Sequence, residues 1–151
     1  MSSRNGVSKH HIHPRSRSGL NVPENEVYQS AKKHAAFHIL FYNMIPEEIG
    51  EYLAKDWWKD KYNIVVERKC STLCLNQEEW GEPCVRRREL PSAKEQFTYY
   101  LLFKGMTPEI VLFYLAEEWW GNQFNVSIIR KEGNKISLKE GLFNRVLQPT
   151  V

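Results

Sequence analysis

From residue 30 onward, apolar positions recur at three- and four-residue intervals. Phe37, Leu40, Phe41 and Met44 fall on one face of a helix beginning near Ser30, a good N-cap type. Pro46 suits the first turn of a second helix, whose inward stripe is Ile49, Tyr52, Leu53 and Trp57. The pattern then becomes β-like over Tyr62–Val66. The same succession returns later in the chain. Ser92 and Glu95 form a capping box, Pro108 opens another helix, and Phe124–Ile129 reads as a strand. In this second pass Ile110–Leu115 is apolar all round, which predicts burial on both sides, by the other copy or by a second chain. Gly133-Asn134 predicts the turn of a hairpin reaching Lys135–Leu138.

The two passes are one pattern written twice. A shift of 62 positions superposes Ser30-Ala31-Lys32 on Ser92-Ala93-Lys94, Tyr52-Leu53-Ala54 on Tyr114-Leu115-Ala116, and Trp57-Trp58 on Trp119-Trp120. Across residues 30–69, 16 of 40 positions are identical without a gap, which points to a tandem duplication rather than a solenoid. The paired tryptophans could stack on bases, but at helix ends with helical spacing a core role is favoured. The expected organisation is a flexible segment 1–8, a first unit 9–69, a connector 70–91 with a turn at Trp80–Pro83, a second unit 92–140 and a tail 141–151. The fold class is α+β.

Composition changes this picture mainly at the front. The chain has 151 residues, 42% apolar and 26% charged, enough for a folded core and unlike a disordered tail, a collagen or a coiled coil. No apolar run approaches the roughly 20 residues needed to span a bilayer, and no signal-peptide pattern opens the chain. Cys70, Cys74 and Cys84 are odd in number with no secretory context, so reduced thiols, buried or incidental, and a cytoplasmic location are expected. All five histidines, His10, His11, His13, His34 and His38, lie within the first 38 positions. Residues 1–34 also hold six Lys/Arg against two Glu, whereas the rest is near neutral. Such asymmetry predicts a segment that faces a polyanion. The run Arg86-Arg87-Arg88 suits phosphate contact or a solvated loop equally well.

The front segment reads as a β-hairpin leading into the helix from Ser30. A short strand ends at His10-His11-Ile12-His13, a Pro/Ser/Gly turn follows, and the chain returns through Asn25–Tyr28. His34 and His38 are four apart and share one helix face, so they can hold one cation with a third ligand from the hairpin. Neighbouring strand residues point to opposite faces, so His10 and His11 divide the work: one for metal, one for substrate.

These residues resemble the HNH nuclease family, whose ββα-metal motif runs roughly His-His-Ile-x-Pro-x-Ser-x-Gly-Gly, then Asn, then His-x-x-x-His. Asn25, His34 and His38 follow His11 at 14, 23 and 27 positions, in register with that pattern. The resemblance covers residues 9–42. It implies that His11 is the general base taking a proton from the attacking water. It implies that His10, His34 and His38 hold one divalent cation on the scissile phosphate, and that Asn25 clamps the hairpin and orients the base. Arg15, Arg17, Lys32 and Lys33 flank the site and suit phosphate positioning. Mg²⁺ or Mn²⁺ is expected by availability, while three imidazoles leave Zn²⁺ or Ni²⁺ open. The first turn glycine is replaced by Ser18, and the Cys-x-x-Cys pairs of zinc-bearing relatives are absent around His34, so a zinc-free branch is implied.

The second copy has no such site. Asn25 corresponds to Arg87, His34 to Gln96, His38 to Tyr100, and His10-His11 to Thr72-Leu73. The expectation is a metal-dependent endonuclease with one site per chain, acting on DNA (or RNA), nicking as a monomer and needing a homodimer for double-strand breaks. No membrane partner is expected. The alternative is an inactive HNH-like module that binds nucleic acid or regulates another enzyme; a third reading makes the histidines a structural metal site on an interaction protein. His13 has no role in any of these and is expected to be exposed.

Overall fold

The computed structural model describes residues 6–69, 73–74, 91–131 and 135–137. The protein is a mixed α+β fold with a two-stranded and a three-stranded sheet. Strands β1 (Val7–His11) and β2 (Glu26–Ser30) pair antiparallel, and the chain passes directly into helix α1 (Ala31–Phe41). The Ser30 hydroxyl accepts from the Lys33 amide at 3.1 Å, the cap that starts α1. Because β1 begins at Val7, the expected flexible segment 1–8 is too long by at least two residues.

The hairpin loop is held by its own geometry. Gly19 approaches the His13 carbonyl so closely that a Cβ there would lie 1.8 Å from its oxygen, so only glycine fits. Ser18 adopts φ 74°, a left-handed conformation that suits glycine, which is what the resembling motif carries at that place.

Helix α2 (Pro46–Tyr52) runs into a π-helical turn, Leu53–Trp57, rather than continuing as one α-helix. Gly50 lets α2 press onto the sheet, since a Cβ there would lie 2.8 Å from a Val66 methyl carbon. Strand β3 (Tyr62–Arg68) follows, two residues longer than the alternation indicated. Helices α3 (Ala93–Phe103) and α4 (Pro108–Tyr114), a second π-helical turn Leu115–Trp119 and strand β4 (Phe124–Arg130) repeat the order. Strand β5 (Lys135–Ser137) extends the second sheet, giving β3-β4-β5. The turns expected at Trp80–Pro83 and Gly133-Asn134, and the run Arg86-Arg87-Arg88, lie outside the described residues.

Contacts between the two repeats come in pairs related by the 62-residue shift. Val65 stands opposite Ser127 in the β3–β4 ladder, and these are corresponding residues. The rings of Phe41 and Phe103, also corresponding, lie 6.4 Å apart where α1 meets α3. Trp57 stacks on Tyr99 at 4.5 Å, and Trp119 stacks on Phe37 at 4.4 Å. Arg68 lies over the Phe124 ring of the other repeat and pairs with Glu47 of its own, while Arg130 lies over the Tyr62 ring of the other repeat and pairs with Glu109 of its own.

One core unites the repeats. Phe41, Leu53, Leu112, Leu115, Trp119 and Trp120 are fully buried within it. Burying each tryptophan removes about 150–250 Å² from water, a contribution of roughly 4–6 kcal/mol at most. Trp58 is buried and Trp57 half-buried, as expected of core tryptophans. The stretch Ile110–Leu115 is less enclosed than its composition suggested: Phe113 remains 37% exposed. Among the described residues, no helix is long and apolar enough to cross a membrane.

Candidate metal centre

Alternation along the hairpin sorts the histidines. His10 and Ser8 share the face of β1 turned toward α1, while His11 and Lys9 share the outer face with Glu26 and Tyr28 of β2. On α1, His34 and His38 occupy successive turns of one face. His10, His34 and His38 thereby converge, with one ring nitrogen from each lying within 4.8 Å of the others.

Two of these imidazoles have polar neighbours on their outer nitrogen. His34 Nδ1 lies 2.6 Å from the Ser8 hydroxyl, and His38 Nδ1 lies 2.9 Å from the Tyr42 carbonyl. Hydrogen bonds of this kind fix ring orientation and leave Nε2 for a ligand. The two Nε2 atoms face each other at 3.0 Å, a separation that requires a proton or a cation between them. His34 and His38 can meet that requirement by sharing a proton.

His10 cannot be satisfied in this way. It is 2% exposed, and neither ring nitrogen has a hydrogen-bond partner among the described residues. Leaving a buried polar group unpaired costs roughly 1–3 kcal/mol. Burial, reinforced by the neighbouring His38, His34 and His11, holds its pKa well below the ordinary imidazole value. Burial and the same neighbours, His38 and His11, lower His34 too. Both rings are therefore neutral near pH 7, the protonation state in which imidazole binds metal. The donor set suits a divalent cation: three imidazoles, one of them with its lone pair otherwise unused.

His11 stands on the other face of the strand. Its Nε2 lies 3.0 Å from the Asn21 amide oxygen and 3.9 Å from a Glu26 carboxylate oxygen. With Nε2–H donating to Asn21, the Nδ1 lone pair is left to accept a proton. Asn25 is fully buried and clamps the loop without touching His11. Its Oδ1 accepts from the His13 amide at 2.7 Å, and its Nδ2 donates to the carbonyls of His13 at 3.0 Å and Leu20 at 2.8 Å. The side chain hydrogen-bonded to His11 is thus Asn21, not Asn25.

Two expectations about nearby residues need correction. Arg17 was expected to face phosphate, yet it is 2% exposed and forms a two-pronged ion pair with Glu48, Nη2 to Oε2 at 2.8 Å. It fastens the hairpin loop to α2. His13 was expected to be exposed and is fully buried. Its Nε2–H donates to the Arg17 carbonyl at 2.7 Å, and its Nδ1 accepts from Arg68 at 3.1 Å. Burial, with the adjoining Arg68 guanidinium, lowers its pKa to about 4, against the upward pull of the Arg17 carbonyl.

The other basic residues remain exposed. Arg15 lies in the loop, and Lys32 and Lys33 lie on the first turn of α1. Of the second repeat's counterparts, Gln96 and Tyr100 sit exposed on α3 and offer no metal-binding set. Leu73 is fully buried, its carbonyl accepting from the Leu20 amide at 2.8 Å, and Cys74 is a buried thiol.

Sequence reasoning missed Ser8, Asn21, Glu26, Glu48 and Trp119, the last lying 5.2 Å from His10 between ring centroids. Ser8 had a signal, since strand alternation places it on the same face as His10. No family model matches the chain, and neither the curated proteins nor the solved structures contain a significant match.

Proposed function

We propose that the protein is a metal-dependent endonuclease of the HNH type that hydrolyses phosphodiester bonds in DNA. The observation that carries this reading is His10, a desolvated imidazole with both nitrogens unpartnered, directed at a histidine pair one helical turn apart. Buried polar groups without partners are rare in stable folds, and a bound cation would partner the His10 nitrogen that carries the lone pair. His10, His34 and His38 would hold a divalent cation, which would supply positive charge against the negative charge that develops during hydrolysis.

The chain's own residues do the rest. His11 Nδ1 takes a proton from the water that attacks phosphorus, while Asn21 fixes the ring through Nε2. Glu26 stands close enough to stabilise the imidazolium that results. Arg15, Lys32 and Lys33 set the phosphate backbone against the site without reading bases. Mg²⁺ or Mn²⁺ is the working ion by availability, and Zn²⁺ or Ni²⁺ suits the imidazoles by affinity.

The paired contacts between the repeats support a finer reading of the fold. The chain is a duplicated ββα-derived unit with pseudo-twofold symmetry, in which only the first copy kept its hairpin chemistry. One site per chain means one cut strand per encounter.

Conversion of supercoiled plasmid, with each of the four metals, tests the proposal. Wild type is expected to yield open circles first, and His11→Ala to lose about 10²–10⁴-fold in rate. DNA binding without cutting under any metal would instead favour the inactive, regulatory module. Linear product formed in one step by a proven monomer would overturn the single-site reading.

A further inference from the structure

We propose that Trp119, carried by the second repeat, is a positioning residue of the metal centre, fixing the orientation of the His10 ring. The proposal rests on the metal-site reading above. Two of the three histidines are oriented by a hydrogen bond on the nitrogen away from the site, from Ser8 and from the Tyr42 carbonyl. His10 has no such bond, so its ring must be aimed by packing alone. The walls that do this are aromatic. Phe37 meets the His10 ring at 4.7 Å and 68°, and Trp119 meets it at 5.2 Å and 82°.

Trp119 also sets the second wall. It stacks on Phe37 at 4.4 Å and 14°, and is itself fully buried. Nearby groups of the second repeat grip the same hairpin. Gln29 on β2 donates to the Glu118 carbonyl at 2.6 Å, and a Cβ on Gly121 would lie 3.3 Å from Ile12. The second repeat thus completes a site to which it contributes no ligand. The matching stack of Trp57 on Tyr99 has no imidazole to aim, because the sequence has Thr72 where the first repeat has His10.

That matching stack is the control. Cobalt(II) titration of the full chain, followed by visible absorption, reads both affinity and ligand geometry. Trp119→Leu is expected to lose about 10–100-fold in cobalt affinity and to change the absorption band, as outer-shell changes do. Trp119→Phe, which keeps a flat wall, is expected to recover most of the affinity. Trp57→Leu is expected to lower thermal stability yet leave the affinity and the band unchanged. Wild-type affinity and spectrum in Trp119→Leu would overturn the proposal, and so would an equal affinity loss in Trp57→Leu. If Trp119→Leu does not fold, Trp119→Met against Trp57→Met decides: a band shift in the first alone supports the role, and none refutes it. A wild-type chain that takes up no cobalt overturns the metal reading itself, whereas normal uptake with an indifferent Trp119 overturns only its positioning role.

Discussion

Replacing His10 with leucine should make the metal-free protein more stable. The ring is 2% exposed, with both nitrogens unpartnered, so the apo fold carries one buried donor and one buried acceptor without hydrogen bonds. At roughly 1–3 kcal/mol each, those groups cost the fold about 2–6 kcal/mol relative to an apolar side chain. Leucine fills a similar volume, but misfit between the Phe37 and Trp119 rings takes back up to about 1.5 kcal/mol. Losing the edge-on ring contacts takes back about 0.5–1.5 kcal/mol more. The expected net gain is about 1–2 kcal/mol, or roughly 2–8 °C in Tm for a domain of this size. Thermal and urea unfolding in chelator, at a pH above the imidazole range, measures it. Added Zn²⁺ or Ni²⁺ at a hundredfold excess over Kd should then stabilise wild type by about 2.7 kcal/mol and leave the variant unchanged. A variant less stable than wild type in chelator would refute the reasoning, because it would mean the imidazole has partners that hold the fold together. Equal stabilisation of both proteins by metal would remove His10 from the ligand set.

Three further outcomes follow from the same geometry. His13 is neutral in the fold with a pKa of about 4, against roughly 6.5 when unfolded, so the unfolded chain binds the proton first as pH falls. Its contribution is intact above about pH 6.5 and is lost between there and about pH 4, up to about 3 kcal/mol; His13→Gln should flatten the urea midpoint over that window, and an unchanged slope would contradict the assignment. Asn25→Asp turns a carboxylate oxygen toward the carbonyls of His13 and Leu20 in a fully buried position, and should cost about 3–5 kcal/mol in urea unfolding; a loss under about 1 kcal/mol would exclude the clamp. Alanine at Arg15, Lys32 and Lys33 together should reduce the salt dependence of DNA binding by about 2–3 in the slope of log K against log salt. Arg17→Met should leave that slope alone and lower stability instead, since its charge is already taken by Glu48.

The residues of the candidate site were legible because their relationships are short and periodic. Four-residue spacing puts His34 and His38 on one face, strand alternation separates His10 from His11, and Ser30 marks where the helix begins. The repeat was legible for a different reason: the 62-residue shift is written in identities, and the elements that follow it, two helices, a π-helical turn and a strand, occur twice in the same order. What local pattern cannot carry is the partner that neutralises or encloses a side chain. Arg17 in a Pro/Ser/Gly turn reads as a solvated cation because Glu48 lies 31 positions away. His13 reads as exposed because Arg68, which completes its hydrogen bonding, lies 55 positions away. Glu48 falls on Ile110 in the second repeat, so the anchor that fastens a hairpin loop to α2 in the first copy has no acid in the second. The same substitution pattern explains how the copies could diverge without losing the fold. The ring contacts that join them, Arg68 over Phe124 and Arg130 over Tyr62, and the ion pair inside each copy, Arg68 with Glu47 and Arg130 with Glu109, occur on both sides, whereas Glu48 has no acidic counterpart. Trp119 and Trp57 are identical in type, but Trp119 meets the His10 ring as well as Phe37, whereas Trp57 stacks on Tyr99. Under the proposed reading, that contact with His10 is where packing by the second copy acts on the candidate metal site.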